Sequence, residues 1–238
     1  ISEVDDDAPV NLRAVKLLAE YLENPSGTRD GVVETLGTWL TEKETRDNST
    51  VQLVAAIIYQ REDLQKEAFT ALKKQSTMEQ TALWAQMCLQ INRCDLAEQS
   101  FKKLEAIDED ATLTQLVGAW INLHKGGDNT KEAAYTYEEL IDKFGASQTL
   151  LNGLASALMH MGRFDEAEKQ LIDAASKGPN DPDTLVNLIA CYEQMNKPAD
   201  IINRYINQLK TAAPTHAYVK SLATIEGAFD RASTQFAA

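Results

Sequence analysis

Apolar residues recur three and four positions apart along almost the whole chain, in blocks short enough to be helices of a few turns. Runs of β-branched residues with a period of two are absent, so no sheet is expected. The prolines Pro9, Pro25, Pro179, Pro182, Pro198 and Pro214 all fall where the apolar pattern stops or restarts, as boundary residues do. The blocks group into pairs. The clearest is 148–161 with 164–177, followed by 182–195 with 198–211, where Asp181-Pro182 supplies an N-cap and a first-turn proline. Upstream, 112–124 pairs with 130–143, 78–91 with 94–106, and 49–60 with 64–75. A less regular pair, 9–23 and 29–43, opens the chain, and a helix at about 215–236 closes it. Ser49–Gln52, Thr77–Gln80 and Thr112–Gln115 each read as a capping box at the start of a first helix.

The pairs repeat. Ala133, Ala167 and Ile201 are spaced 34 and 34 apart, and so are Tyr137, Leu171 and Tyr205. The sharpest copy, LLNGLASALMHMGRFDEAEKQLIDAASKGP, ends at Pro179. This is the pattern of a tetratricopeptide repeat. Ala97 to Ala133 is 36, which the longer Gly126-Gly127-Asp128-Asn129 turn explains; Ala68 to Ala97 is only 29, which predicts a shortened second helix or turn there. Ala68, Ala97 and Ala167 are the small positions at which paired helices cross. By the same register Glu168 faces water. The expected fold is all-α: a tetratricopeptide-like helical-hairpin solenoid of about six helix pairs plus a C-terminal capping helix. Its divisions are 1–45 (irregular pair), 49–212 (repeat array) and 215–238 (cap), in one domain.

A repeat of this kind builds a surface for a partner, and composition narrows the class further. With 44% hydrophobic residues in 238, the chain can bury a continuous core. No apolar run approaches the ~20 residues that span a bilayer. No signal peptide is visible, and the sequence opens at Ile1 without a methionine, so an upstream part is expected to be missing. A net charge of −13 disfavours phosphate backbones and anionic lipid as direct partners. Cys88, Cys94 and Cys191 lie inside helical patterns with no CxxC spacing, and read as reduced core residues of a cytosolic protein.

Candidate chemistry is sparse. Asp108-Glu109-Asp110 lacks the spaced ligands and glycine of a calcium loop, and reads as charge at a helix N-terminus. Asp5-Asp6-Asp7 reads as a solvated tip. His124, His160 and His216 have no ligand or nucleophile at useful spacing. The basic pairs Lys73-Lys74 and Lys102-Lys103 read as solvated faces. No catalytic residue, cofactor or metal is expected.

Five segments are similar to the coatomer epsilon subunit family: AIDEDATLTQLVGAW (Ala106–Trp120), LLNG (Leu150–Gly153), TLVNLI (Thr184–Ile189), NRYINQLK (Asn203–Lys210) and FDRA (Phe229–Ala232). They occur in the family's order from about residue 45 onward; the first 45 residues resemble it more loosely. Chains of that family begin further upstream, so the sequence reads as a fragment. The resemblance implies a non-catalytic subunit of the COPI vesicle coat. Its array would curl around and stabilise the C-terminal domain of the coatomer alpha subunit, in Golgi-to-ER and intra-Golgi transport. It would be cytoplasmic and held on Golgi membranes and vesicles through other coat subunits.

Geometry alone supplies candidate contact residues. Stacked pairs should leave a concave face lined by the first helix of each pair, which selects Gln86, Leu89, Gln90, Asn122, Asn152, Ser156, Met159, His160, Val186 and Glu193. The rival class is an adaptor that clamps the peptide tail of a chaperone or other cytosolic partner. The positions such a clamp would use (Ala82/Gln86, Gly118/Asn122, Asn152/Ser156 and Val186/Ala190) hold no basic residue to bind a terminal carboxylate.

Overall fold

The computed structural model describes residues 4, 5 and 7–236. Ile1, Asp6 and the last two residues of the expected cap lie outside the described residues. Thirteen helices, and no strand, occur among the described residues. They are α1 (Val10–Glu23), α2 (Pro25–Thr41), α3 (Ser49–Arg61), α4 (Gln65–Ala71), α5 (Met78–Gln90), α6 (Cys94–Ile107) and α7 (Thr112–Lys125), then α8 (Asn129–Phe144), α9 (Gln148–His160), α10 (Phe164–Lys177), α11 (Pro182–Gln194), α12 (Ala199–Ala212) and α13 (Ala217–Phe236). Two compact units divide the chain, Ile1–Val117 and Gly118–Ala238, with the boundary inside α7.

Four of the hairpin turns are built alike. Asp63, Asn92, Gly162 and Asn196 each take a positive φ, between 53° and 74°. The next residue's N–H then reaches back to a carbonyl near the end of the first helix: Leu64 to Tyr59 (2.8 Å), Arg93 to Cys88 (2.8 Å), Arg163 to Leu158 (2.9 Å) and Lys197 to Tyr192 (3.0 Å). This is the Schellman ending, and it needs Gly, Asn or Asp at the left-handed position. The α7–α8 turn instead carries two successive left-handed residues, Gly126 and Gly127 (φ 69° and 59°). Such a doubled turn accounts for the longer spacing there. The 29-residue interval is explained as well, because α4 has only 7 residues where α6 has 14.

In the first unit, α1, α2 and α3 pack on one another, as do α3 with α4 and α5 with α6. The core gathers Ala14, Tyr21, Leu36, Val51, Ile58, Ala68, Leu72 and Met87. Phe69 and Trp84 meet edge to face, with centroids 4.9 Å apart, and join α4 to α5. Glu62, at the C-cap of α3, accepts from the Tyr21 hydroxyl (2.5 Å) and pairs with Arg29 Nε (2.5 Å), so one carboxylate ties three helices together. The Tyr21 hydrogen bond and Arg29 hold the Glu62 carboxyl below its ordinary range. Burial, then Glu62, pushes Tyr21 up to about 12.

In the second unit, α9 packs on α8, α10 and α11, and α11 on α12. Ala133, Ala155, Ala157, Ala167, Leu171 and Ala174 are fully buried. The small positions of the register are thus where helices meet: Ala68 and Ala97 of the first unit are also fully buried. Gly153 shows the same need for space. A Cβ there would stand 2.3 Å from the ring of Tyr137, which is itself buried, with its pKa pushed up to about 12 by burial. The unit ends in a cluster of Leu185, Ile189 and Leu209, onto which Val186, Tyr205, Tyr218 and Val219 pack. Only this first part of α13 joins the cluster; Ile225, Phe229 and Phe236 of the same helix are exposed.

Three kinds of local expectation need correction. Helix α2 starts at Pro25, not at 29, because Asn24 accepts from the Gly27 N–H and sets Pro25 in the first turn. The capping boxes are also built differently. Asn48, not Ser49, caps α3, accepting from the N–H groups of Thr50 and Val51 (3.0 and 3.1 Å). Thr77 does cap α5, but Gln80 reaches back to Ser76 N–H (2.7 Å), one residue beyond the capping-box position. Helix α7 begins at Thr112, which places that residue inside the first turn. Nor does Glu168 face open water: it is half-buried and pairs with Lys197 at 3.3 Å, across from α10 to the turn before α12.

Candidate partner-binding surfaces

In the first unit the first helices α3 and α5 leave a groove of about 690 Å³ between them. Gln86 and Gln90 line it, together with Ile57, Gln60 and Leu83. Gln86 and Gln90 are both exposed. The Gln60 amide donates to Gln90 Oε1 (2.9 Å) across the groove. Arg61 and Asp63 bring one charge of each sign to the lining. The groove is therefore amide-rich and apolar, without excess charge. Leu89, on the same helix, is half-buried and does not line it. The sequence pattern did not select Ile57, Gln60, Arg61 or Leu83. Placing the first-helix face of α3 in the same register as that of α5 would have found them.

The corresponding helices of the second unit, α9 and α11, are joined by their polar side chains. Asn152 Nδ2 donates to Thr184 Oγ1 (2.7 Å) and to the Gln148 carbonyl (3.1 Å), and Asn187 Nδ2 donates to Asn152 Oδ1 (3.0 Å). Thr184 in turn donates to Asp181 Oδ2 (2.7 Å), which also caps α11 through the Thr184 N–H (2.9 Å). Gln148 Nε2 reaches the Gly178 carbonyl (3.0 Å). Ser156 Oγ donates to its own helix, at the Asn152 carbonyl (2.8 Å). Asn152 and Ser156 thus have partners within the unit already. No sequence motif announces the Asn152 bridge, because the bonded residues lie more than 30 positions apart.

The other candidates in this unit are scattered. Val186 packs on the C-terminal cluster, while Glu193 is exposed and lies near Tyr218, whose pKa it raises second to burial. Asn122 and Met159 are half-buried. His160 is exposed beside a hollow of about 440 Å³ lined also by Lys131, Tyr135, Glu138, Met161 and Arg163.

No group of three or more His, Cys, Asp or Glu able to hold a metal occurs among the described residues. Asp108 is the C-cap of α6; its side chain accepts from the Asp110 N–H (3.0 Å) and its carbonyl from Thr114 Oγ1 (2.7 Å), so the acidic triplet closes a turn. Burial pushes the Cys88 thiol up to about 11, which keeps it protonated and inert at neutral pH. No helix among the described residues is long and apolar enough to cross a membrane.

Comparison with known proteins agrees with the fold and extends the resemblance. A protein-family model described as "Coatomer epsilon subunit" matches residues 1–237, so the match takes in the first 45 residues as well. Coatomer subunit epsilon-1 of Arabidopsis thaliana is 39% identical over 237 residues, covering 100% of this chain and 80% of its own length. Coatomer subunit epsilon of Dictyostelium discoideum is 36% identical over 226 residues, covering 94% of this chain and 75% of its own. A solved tetratricopeptide repeat protein from Parabacteroides merdae matches with a TM-score of 0.72 over 89% of this chain and 83% of its own, at 15% identity, which is a likeness of fold alone. The hairpins are therefore of the tetratricopeptide type. With the family match running from the first helix hairpin to the last helix, the chain belongs to the coatomer epsilon subunit family.

Proposed function

We propose that this chain is a non-catalytic scaffold subunit of the COPI vesicle coat, which binds and stabilises the C-terminal domain of the coatomer alpha subunit. It works on the cytoplasmic side of Golgi membranes and vesicles, carried there by the assembled coat. Family membership over essentially the whole chain carries this reading. The α3–α5 groove supports it in kind. Amide and apolar side chains without net charge suit a folded or amphipathic partner, and one arginine, Arg61, falls short of the set of cations that clamps a peptide carboxylate.

Affinity capture from cytosol on the immobilised chain, with the bound proteins identified by mass, tests the reading. Recovery of the alpha subunit with other large coat subunits is expected. Recovery of a chaperone without coat subunits would replace it with the adaptor function.

A further inference from the structure

The first unit holds a second concavity, which shares no lining residue with the α3–α5 groove. It is a cleft of about 560 Å³ among the end of α2, the turn before α3, and helices α3 and α4. Its floor includes Leu40, Tyr59 and Ala71. Around it stand Arg46, Lys66, Lys73 and Lys74, against two carboxylates, Asp47 and Glu67. In a chain of net charge −13 this is a local reversal of sign. One carboxylate is already engaged: Asp47 pairs with Lys74 and, at 3.4 Å, with Arg46. Lys66 and Lys73 are exposed, and neither has an ion-pair partner among the described residues. The Lys73-Lys74 pair is solvated, as its sequence pattern implies, and it also lines this cleft.

The cleft is also held in shape from beneath. Buried Thr45 donates to the Trp39 carbonyl (2.5 Å), and buried Gln52 donates to the Arg46 carbonyl (2.7 Å). Fully buried Gln80 donates to Gln52 Oε1 (3.1 Å) and to the Ser49 carbonyl (2.9 Å). With the backbone beneath the cleft fixed before binding, chiefly the lysine side chains remain to be ordered on binding.

We propose that this cleft is a second docking site, for a short peptide segment of a partner protein in which acidic side chains flank an apolar one. The apolar side chain would occupy the floor, and the carboxylates would meet Lys66, Lys73 and Arg46. An anionic bilayer is the poorer partner. It would face the field of the whole acidic chain, whereas a peptide in the cleft responds to charges within a Debye length of about 8–10 Å.

Fluorescence anisotropy on the full chain tests the proposal. The probe is a short labelled peptide of aspartates and glutamates around a central Leu-Phe pair. Saturable binding that weakens with rising salt is expected. The double variant Lys66→Glu, Lys73→Glu should lose at least about tenfold in affinity. Lys169→Glu, Lys220→Glu makes the same change in net charge at exposed positions of the second unit, and should bind within about twofold of the unaltered chain. Gln86→Glu, Gln90→Glu, in the other groove, should also leave peptide binding intact. The proposal is overturned by absence of binding, by equal losses in the two lysine variants, or by equal binding of a peptide with serines in place of Leu-Phe. Binding of anionic phosphatidylserine vesicles or of inorganic phosphate in preference to the peptide would overturn it too.

Discussion

In the first unit, Gln86 and Gln90 stand in an open groove, crossed by one hydrogen bond that the Gln60 amide donates to Gln90. In the second, Asn152 sits between Thr184 and Asn187 and closes the equivalent helix pair with its own hydrogen bonds. Both sets of residues occupy the first-helix face of the same hairpin design. The difference lies in side-chain length and in what surrounds them. Short amide and hydroxyl groups on α9 and α11 reach one another directly, so their polarity is satisfied internally. Longer side chains on α3 and α5, with Ile57 and Leu83 beside them, leave space that a partner can fill. A polar residue on an expected binding face is therefore evidence of a binding site only once its internal hydrogen bonds have been accounted for.

The comparison can be broken first at the framework both units share. Ala167→Trp overpacks a fully buried helix crossing, and should destabilise by about 1–3 kcal/mol or more. Lys169→Trp, on the exposed side of α10, should melt close to the unaltered chain. Lys169 is the better control than Glu168, whose ion pair with Lys197 makes it part of the packing. Equal melting temperatures for Ala167→Trp and Lys169→Trp would refute the hairpin register.

Gly153→Ala should follow closely in size. Its Cβ would meet the Tyr137 ring at 2.3 Å, and a buried aromatic can move only by disturbing α8. A loss of about 1–3 kcal/mol in denaturant unfolding is expected. Asn152→Leu then separates the two faces directly. It strands the Asn187 amide and removes the acceptor and donor that bridge α9 and α11, at a cost of about 1–3 kcal/mol. Gln86→Leu on the open face should change stability by less than about 0.5 kcal/mol. If thermal melts show Gln86→Leu to be the more damaging, the contrast between closed and open faces is wrong.

The smallest effect is electrostatic and belongs to the first unit alone. Glu62 titrates below its ordinary range in the fold, so its contribution is fully present above the ordinary carboxylate pKa. It is lost as pH falls through that range toward the depressed folded value. Tyr21→Phe removes the first cause of the depression and should lower the melting temperature at neutral pH. The gap between variant and unaltered chain should narrow as the medium is acidified. A gap that stays constant down to low pH would assign the Tyr21 effect to packing alone.

Much of the fold is legible along the sequence because it is local. The left-handed residue that ends α3, α5, α9 and α11 must be Gly, Asn or Asp, the crossing positions must be small, and both recur with the repeat. The boundaries of α5, α6 and α9 to α12 follow from this to within about two residues. Helix α2 escapes because Pro25 reads equally as a break and as a first-turn residue; only the Asn24 cap decides between them. The candidate surface is much less legible. Periodicity says which side of a helix faces away from its own hairpin, and that is enough to find Gln86 and Gln90. It cannot say that Asn152 meets Thr184, or that Val186 is covered by the C-terminal cluster, because those depend on how one hairpin is set against the next.

Isothermal titration against the C-terminal domain of the coatomer alpha subunit is the most direct measurement of the central claim, that the α3–α5 groove is the partner face. Gln86→Glu, Gln90→Glu adds two carboxylates to a groove that holds a single cation, Arg61, and already one carboxylate, Asp63, so binding would bury excess negative charge. The account predicts at least a tenfold loss of affinity, about 1.4 kcal/mol, with an unchanged melting curve. Lys169→Glu should bind normally. Full affinity in the double variant, with the fold intact, would contradict the claim and remove the groove from the interface.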